Sequence, residues 1–220
     1  IHNDLVTEVD FNSYPFIAKT DSGLIFESKT VIISTGAQAR WLGIKSEEKF
    51  KGYGISACAT CDGFFFKDQK IAVIGGGNSA VEEALYLTNF ASKVTLIHRR
   101  DALRAEKILQ DRLFKHPKID IIWNKTVKEF IGNDKKPSLE SLVLKDTKDN
   151  SESKLNVNGA FVAIGHDPST SLFINKVQMD KDNYIITKPD STETSIQGIY
   201  AAGDVKDKIY RQAVTAAGMG

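Results

Sequence analysis

Cysteine is scarce in this chain, with two in 220 residues. A scaffold stapled by many disulfides is thereby excluded, and a lone pair spaced for chemistry suits a reducing cytoplasm. Long apolar runs are missing too. Nothing approaches the ~20 residues a helix needs to cross a bilayer, so the expectation is a soluble protein without a membrane partner. Charge of one sign is also lacking: 29 Lys and Arg face 28 Asp and Glu, a net of +1. That balance offers no general basic field for nucleic acid. No signal or transit segment is visible. The chain opens at Ile1 without a methionine and closes on Ala216-Ala217-Gly218-Met219-Gly220 in mid-helix, which reads as a fragment. The length suffices for one large or two modest domains, each with its own core.

Both cysteines fall in Cys58-Ala59-Thr60-Cys61-Asp62-Gly63. A Cys-X-X-Cys thiol has its pKa lowered from ~8.5 to about 7 or below, so it is partly nucleophilic at neutral pH. Asp62 stands beside it, suited to carry a proton to or from a leaving thiolate. Two other readings exist. Buried, inert cysteines are one. The other is half of a zinc site, which needs two further ligands; His2, His98, His116 and His166 are scattered, and the expected metal is none. Ser56 is expected to cap a short helix carrying both cysteines near its N-terminus, where unpaired amides favour a thiolate.

Further on, Lys70-Ile71-Ala72-Val73-Ile74 reads as a buried strand and Ala80 to Leu87 as a helix. Between them Gly75-Gly76-Gly77-Asn78-Ser79-Ala80 fits G-x-G-x-x-G/A. Gly75 makes the tight turn, Gly77 lets backbone approach a pyrophosphate, and Ala80 lets helix and strand pack closely. The helix N-terminus, with Asn78 and Ser79, offers amides to the phosphates. After the next strand, Ser92 to Ile97, an NAD site would place an acid for the ribose. Here stand His98-Arg99-Arg100, with Arg104 beyond, a basic cluster suited to a 2'-phosphate. The nucleotide expected is NADPH, against the plainer reading of a solvated basic helix start.

Alternating segments over 4–11 and 16–20, with Leu24-Ile25-Phe26, read as an antiparallel meander. Thr30 to Ser34 reads as a strand covered on both faces, ending at Thr35-Gly36, where the glycine serves either a ligand or a turn. The stretch from Trp41 to Gly54 reads as a connection. Ala102 to Phe114 is expected as a helix and Ile119 to Trp123 as a strand. A second meander follows over Val127–Ile131, Leu139–Lys145 and Lys154–Val157, with turns at Asn133-Asp134 and Lys148-Asp149-Asn150. Gly159 to Gly165 is another buried strand. Ile196 to Asp204 delivers an acid that either caps the next segment or meets a ribitol hydroxyl, and a helix begins at Arg211-Gln212-Ala213-Val214.

Together these residues resemble the low-molecular-weight, bacterial-type thioredoxin reductases. The likeness is carried by Ser34-Thr35-Gly36-Ala37, the Cys58–Gly63 segment, Gly75 to Ala80, His98-Arg99-Arg100, Val162-Ala163-Ile164-Gly165-His166, and Thr194-Ser195-Ile196 through Asp204 to Arg211-Gln212-Ala213. It covers essentially all 220 residues. The resemblance implies an α/β fold of two Rossmann-like, three-layer ββα nucleotide-binding domains. An NADPH domain at 41–161 would interrupt an FAD domain at 1–40 and 162–220, with the family's first glycine fingerprint lying before Ile1. It implies FAD held by Thr35, Gly36, Gly203, Asp204, Val205, Arg211, Gln212 and Ala213. Electrons would pass from NADPH through FAD and the Cys58–Cys61 pair to thioredoxin, with Cys58 attacking the substrate, Cys61 toward the flavin and Asp62 moving the proton. A homodimer is implied as well. Glycines near Gly52 to Gly54 and at Gly159 are the expected hinges. The alternatives are the reductase subunit of a peroxiredoxin (alkyl hydroperoxide) system, a non-catalytic nucleotide-binding module and a zinc-binding interaction module.

Overall fold

A computed structural model describes residues 1–133 and 135–220. The chain divides into two units, Ile1–Gln38 with His166–Gly220, and Ala39–Gly165. In chain order the first part of unit 1 gives β1 (Val6–Asp10), β2 (Phe16–Thr20), β3 (Ile25–Ser28), β4 (Val31–Ile33) and the start of β5 (Ala37–Ala39), whose last residue falls in unit 2. Unit 2 then runs α1 (Lys45–Phe50), β6 (Ile55–Ser56), α2 (Ala59–Asp62), β7 (Lys70–Gly75), α3 (Asn78–Leu87), β8 (Lys93–Ile97), α4 (Lys107–Phe114), β9 (Ile119–Ile122), β10 (Lys125–Asn133), β11 (Ser138–Asp146), β12 (Glu152–Asn156) and β13 (Gly159–Ala163). The chain returns to unit 1 with β14 (His166–Pro168), β15 (Ile199–Ala201) and α5 (Ala213–Met219).

Unit 2 is built on a parallel sheet of order β6-β13-β7-β8-β9. Its strands alternate because successive side chains point to opposite faces. Ile71, Val73, Val94, Leu96, Phe161 and Ala163 join one core with Val81, Ala84 and Leu87 of α3 and Leu113 of α4. Ala72, Ile74, Ile97, Ala160 and Val162 join another with Val127, Phe130, Leu142 and Leu144 of the antiparallel β10-β11-β12 meander. The result is three layers: meander, parallel sheet, helices. Both faces being covered, the strands read as continuous apolar runs.

Unit 1 holds the meander β1-β2-β3, a parallel pair β15-β4 and a ribbon β14-β5. Val9, Phe11, Phe16, Ile33, Phe173, Ile185 and Ile199 form its core. Here one expectation fails. Ile33 is 2% exposed but Ile32 is 69% exposed, so residues 1–220 cover β4 on one face only, where cover on both was expected. An apolar run alone does not tell a strand buried on both sides from one buried on one.

Other differences are local. The stretch read as a connection contains α1, whose Glu47 is fully buried and accepts the amides of Leu42 and Gly43 at 3.0 and 2.9 Å. That carboxylate folds the loop back onto its own helix, which no apolar periodicity announces. The helix expected from Ala102 begins at Lys107. The Arg104 amide donates to Gly76 O at 2.7 Å and the Glu106 amide to Asn78 Oδ1 at 2.8 Å, so tertiary partners hold 99–106 as a loop. Gly52, Gly54 and Gly159, expected as hinges, lie inside unit 2. A Cβ on Gly54 would sit 2.5 Å from Leu139 Cβ, and one on Gly159 would sit 2.3 Å from the Phe66 ring. Those two glycines mark close packing, while the chain passes between units near Gln38 and Gly165. Asp134, expected in a turn, lies outside the described residues.

Glu47→Ala should leave the half-buried Leu42 amide and the exposed Gly43 amide without their acceptor and cost roughly 1–3 kcal/mol. Urea unfolding checks it; a loss under about 0.5 kcal/mol would show the carboxylate to be dispensable.

Candidate functional site

In unit 2 the parallel sheet delivers the cysteines. β6 ends at Ser56, and one turn of helix, α2, follows with Cys58 as its N-cap. Cys58 and Cys61 form a disulfide. The Cys61 amide donates to Cys58 Sγ at 3.2 Å, so sulfur does the capping expected of Ser56. Ser56 instead ends a strand, and its hydroxyl donates to Asp62 Oδ2 at 2.6 Å. Buried Ala59 roots the turn in the core, and Gly63 lies close against Leu87 and Phe90. Cys61 is exposed, with Cys58 and Asp62 half-buried.

The glycine turn sits between β7 and α3 in the same unit. A Cβ at Gly75 would lie 2.3 Å from Ala163 O and 2.6 Å from Ala80 Cβ. At Gly76 it would strike the His98 ring at 2.2 Å, whereas at Gly77 it would meet nothing within 4 Å. Backbone at Gly77 therefore faces open space, at the start of a helix that no side chain caps. That is the cradle a pyrophosphate fills. Arg99, Arg100 and Arg104 are exposed beyond the next strand, with Ser79 half-buried and Asn78 exposed on α3. Asn78 bonds Glu106 twice, at 2.8 and 3.3 Å, stitching the arginine loop to the turn.

His98 is placed differently from its arginine neighbours. It is 5% exposed, with Nδ1 2.9 Å from Gly75 O and Nε2 3.1 Å from Ala102 O. Burial lowers its pKa from 6.5 despite those two carbonyls, and the charges of Arg104 and Arg100 add to the lowering. A neutral ring has one N–H and serves one carbonyl at a time. His98 thus braces the turn from beneath.

In unit 1, Gly36 (φ +73) has nothing within 4 Å of a Cβ position, and the Thr35 hydroxyl donates to Ser169 O at 2.7 Å. Gly203 (φ +77) opens a short turn in which Asp204 is half-buried and Val205 fully buried, so Val205 can offer a ligand only its backbone. Arg211 (φ +49) and Gln212 are half-buried, and Ala213 is exposed at the start of α5. Asp207, which no motif singled out, organises this loop. It is 5% exposed and accepts the amides of Ile209, Tyr210 and Arg211 at 2.8, 3.0 and 2.9 Å, with the Thr215 hydroxyl at 3.4 Å. Burial would push its pKa up; the three amides and the Arg211 charge outweigh that and hold it below 3.8. The only sequence signal was an acid just before a glycine-free turn.

The chain matches the pyridine nucleotide-disulphide oxidoreductase family over residues 1–220. It belongs to that family. The thioredoxin reductase of Rickettsia felis is 59% identical over 100% of this chain and 71% of its own length. That of Coxiella burnetii is 48% identical over 99% of this chain and 69% of its own. The crystal structure of thioredoxin reductase from Streptococcus pyogenes superposes with a TM-score of 0.90 at 44% identity, covering 98% of this chain and 69% of that one. Family membership implies a flavin and a nicotinamide cofactor, and the open backbone at Gly77 and Gly36 fits such groups. Among the described residues no cluster of three or more His, Cys, Asp and Glu is placed to hold a metal ion, and no helix is long and apolar enough to cross a membrane.

Gly76→Ala should cost about 2–3 kcal/mol by driving a methyl into the His98 ring, while Gly77→Ala, a helix N-cap change into open space, should cost no more than about 1 kcal/mol. Equal losses in thermal unfolding would contradict the geometry. Because the folded pKa of His98 lies below 6.5, the unfolded chain takes up that proton first. Unfolding free energy should fall as pH drops through 6.5 toward the folded value, and His98→Gln should remove that part of the slope.

Proposed function

We propose that this chain performs NADPH-driven reduction of the thioredoxin disulfide, with FAD as the intermediate carrier. The observation that carries the reading is one unit holding a bonded Cys58–Cys61 pair followed by Asp62, together with an open glycine turn flanked by three exposed arginines. In this reading unit 2 is the NADPH-binding unit and unit 1 the FAD-binding one. The two cofactors, when bound, supply the two-electron chemistry that reduces the disulfide.

The protein's own residues do the rest. Gly75, Gly77, Asn78, Ser79 and Ala80 shape the pyrophosphate cradle, braced by His98. Arg99, Arg100 and Arg104 select the 2'-phosphate with charge-assisted bonds. Thr35, Gly36, Gly203, Asp204, the Val205 backbone and Arg211-Gln212-Ala213 hold FAD. In the exchange step the Cys58 thiolate attacks the thioredoxin disulfide, forming a mixed disulfide and releasing one sulfur. Cys61, giving up its proton, then attacks Cys58 and releases the second sulfur, which takes a proton. One disulfide is reduced to two thiols and the dithiol returns to a disulfide. Asp62 carries the proton between them.

NADPH oxidation with oxidised thioredoxin tests this. Cys61→Ser should abolish turnover, and Arg99→Ala with Arg100→Ala should raise KM for NADPH by roughly tenfold or more with little change for NADH. Equal use of NADH and NADPH by the wild type, or turnover surviving Cys61→Ser, would overturn the reading.

A further inference from the structure

Ser56 is a buried polar side chain two residues before Cys58, and it does not make the helix cap its composition suggests. It ends β6, is 7% exposed, and lies in parallel register opposite Phe161 of β13, so the central sheet fixes its backbone. Its hydroxyl makes three contacts, all to the dithiol segment. It accepts the Cys58 amide at 3.0 Å, lies 2.6 Å from Asp62 Oδ2, and lies 3.4 Å from the Cys58 carbonyl oxygen.

A serine hydroxyl has one proton and two lone pairs. With Asp62 ionised, that proton goes to Oδ2. With Asp62 protonated, the acid O–H donates into the hydroxyl oxygen, and the hydroxyl proton turns to the Cys58 carbonyl. The Cys58 amide stays bonded in both settings. A rotation of one O–H bond therefore lets the carboxyl change charge without moving, and the same oxygen ties it to the backbone of the attacking cysteine. A partner that only accepts would be lost when the carboxyl is ionised, whereas a hydroxyl can serve either state.

We propose that Ser56 is the positioning residue for Asp62, holding its carboxyl in one place in both protonation states and so speeding thiol–disulfide exchange. This rests on the reading of Asp62 as the proton carrier. The test needs neither bound flavin nor nicotinamide: the chain is reduced, freed of reductant and mixed with glutathione disulfide, whose basic leaving thiolate requires a proton. Loss of the two thiols is followed by quenching with an alkylating agent and measuring mass.

Asp62→Asn, which removes the proton carrier, should slow reoxidation by about tenfold or more, and Ser56→Ala, which removes one charge-assisted hydrogen bond, by about tenfold. Ser56→Thr, which keeps the hydroxyl, should recover most of the rate. The Ser56→Ala, Asp62→Asn double variant should be no slower than Asp62→Asn alone, because the two act as one. If Ser56→Ala does not fold, Ser56→Gly removes the hydroxyl without adding bulk and carries the same comparison. A slow Asp62→Asn beside an unchanged Ser56→Ala overturns the role of Ser56 alone, as do multiplying effects in the double variant or a folded Ser56→Thr as slow as alanine. An Asp62→Asn at the wild-type rate overturns the assignment of Asp62 and the role of Ser56 with it.

Discussion

At Gly75 three backbones converge more closely than any side chain allows. The carbonyl of Ala163 would stand 2.3 Å from a Cβ there, and the methyl of Ala80 2.6 Å. That approach lets β7 lie in register with β13 and lets α3 settle onto both. The sheet then carries β6, and with it the strand end from which the disulfide turn departs. Without a glycine at this position the strand and the helix would be pushed apart, and the open backbone at Gly77 would lose its geometry with them.

In unit 2 the buried His98 and Ser56 stand beneath loops that carry chemistry. His98 fills the space beneath Gly76, and its ring nitrogens face two carbonyls of the turn and of the arginine loop. Asn78 and Glu106 join the same two segments from the solvent side. The arginines are consequently displayed on a short, tethered loop, which reduces the side-chain and backbone freedom lost when an anion is gripped. In unit 1 Asp207 plays a comparable part. Its carboxylate gathers three successive amides and stabilises a turn in which Arg211 takes a left-handed conformation.

Much of this was legible in the residues themselves. β7, α3, β8 and β13 follow from apolar runs and helical spacing, and the meander of β10, β11 and β12 from alternation between turn residues. The departures have a common cause. α1 is a short helix fastened by the buried carboxylate of Glu47, and the late start of α4 reflects amides drawn to Gly76 and Asn78. Ser56 has the composition of a helix cap and the position of a strand end, because Cys58 Sγ takes the amide that a cap would bind. Local pattern ranks what a segment can do alone; specific hydrogen bonds change the ranking, from Glu47 and Cys58 Sγ within a few residues and from Asn78 across the chain to Glu106.

By itself the sequence determined the pairing of two cysteines with a following acid, the small residues that a tight strand-to-helix turn needs, and the arginines after the next strand. Those depend on residue type and short spacing, and one dimension holds them. Only the tertiary structure decided that His98 is buried beneath the turn while its arginine neighbours face solvent, that Ser56 reaches Asp62, and that Ile33 is covered while Ile32 is not. Each of these turns on which side of a strand or loop a neighbouring element packs, and that is fixed when the layers come together.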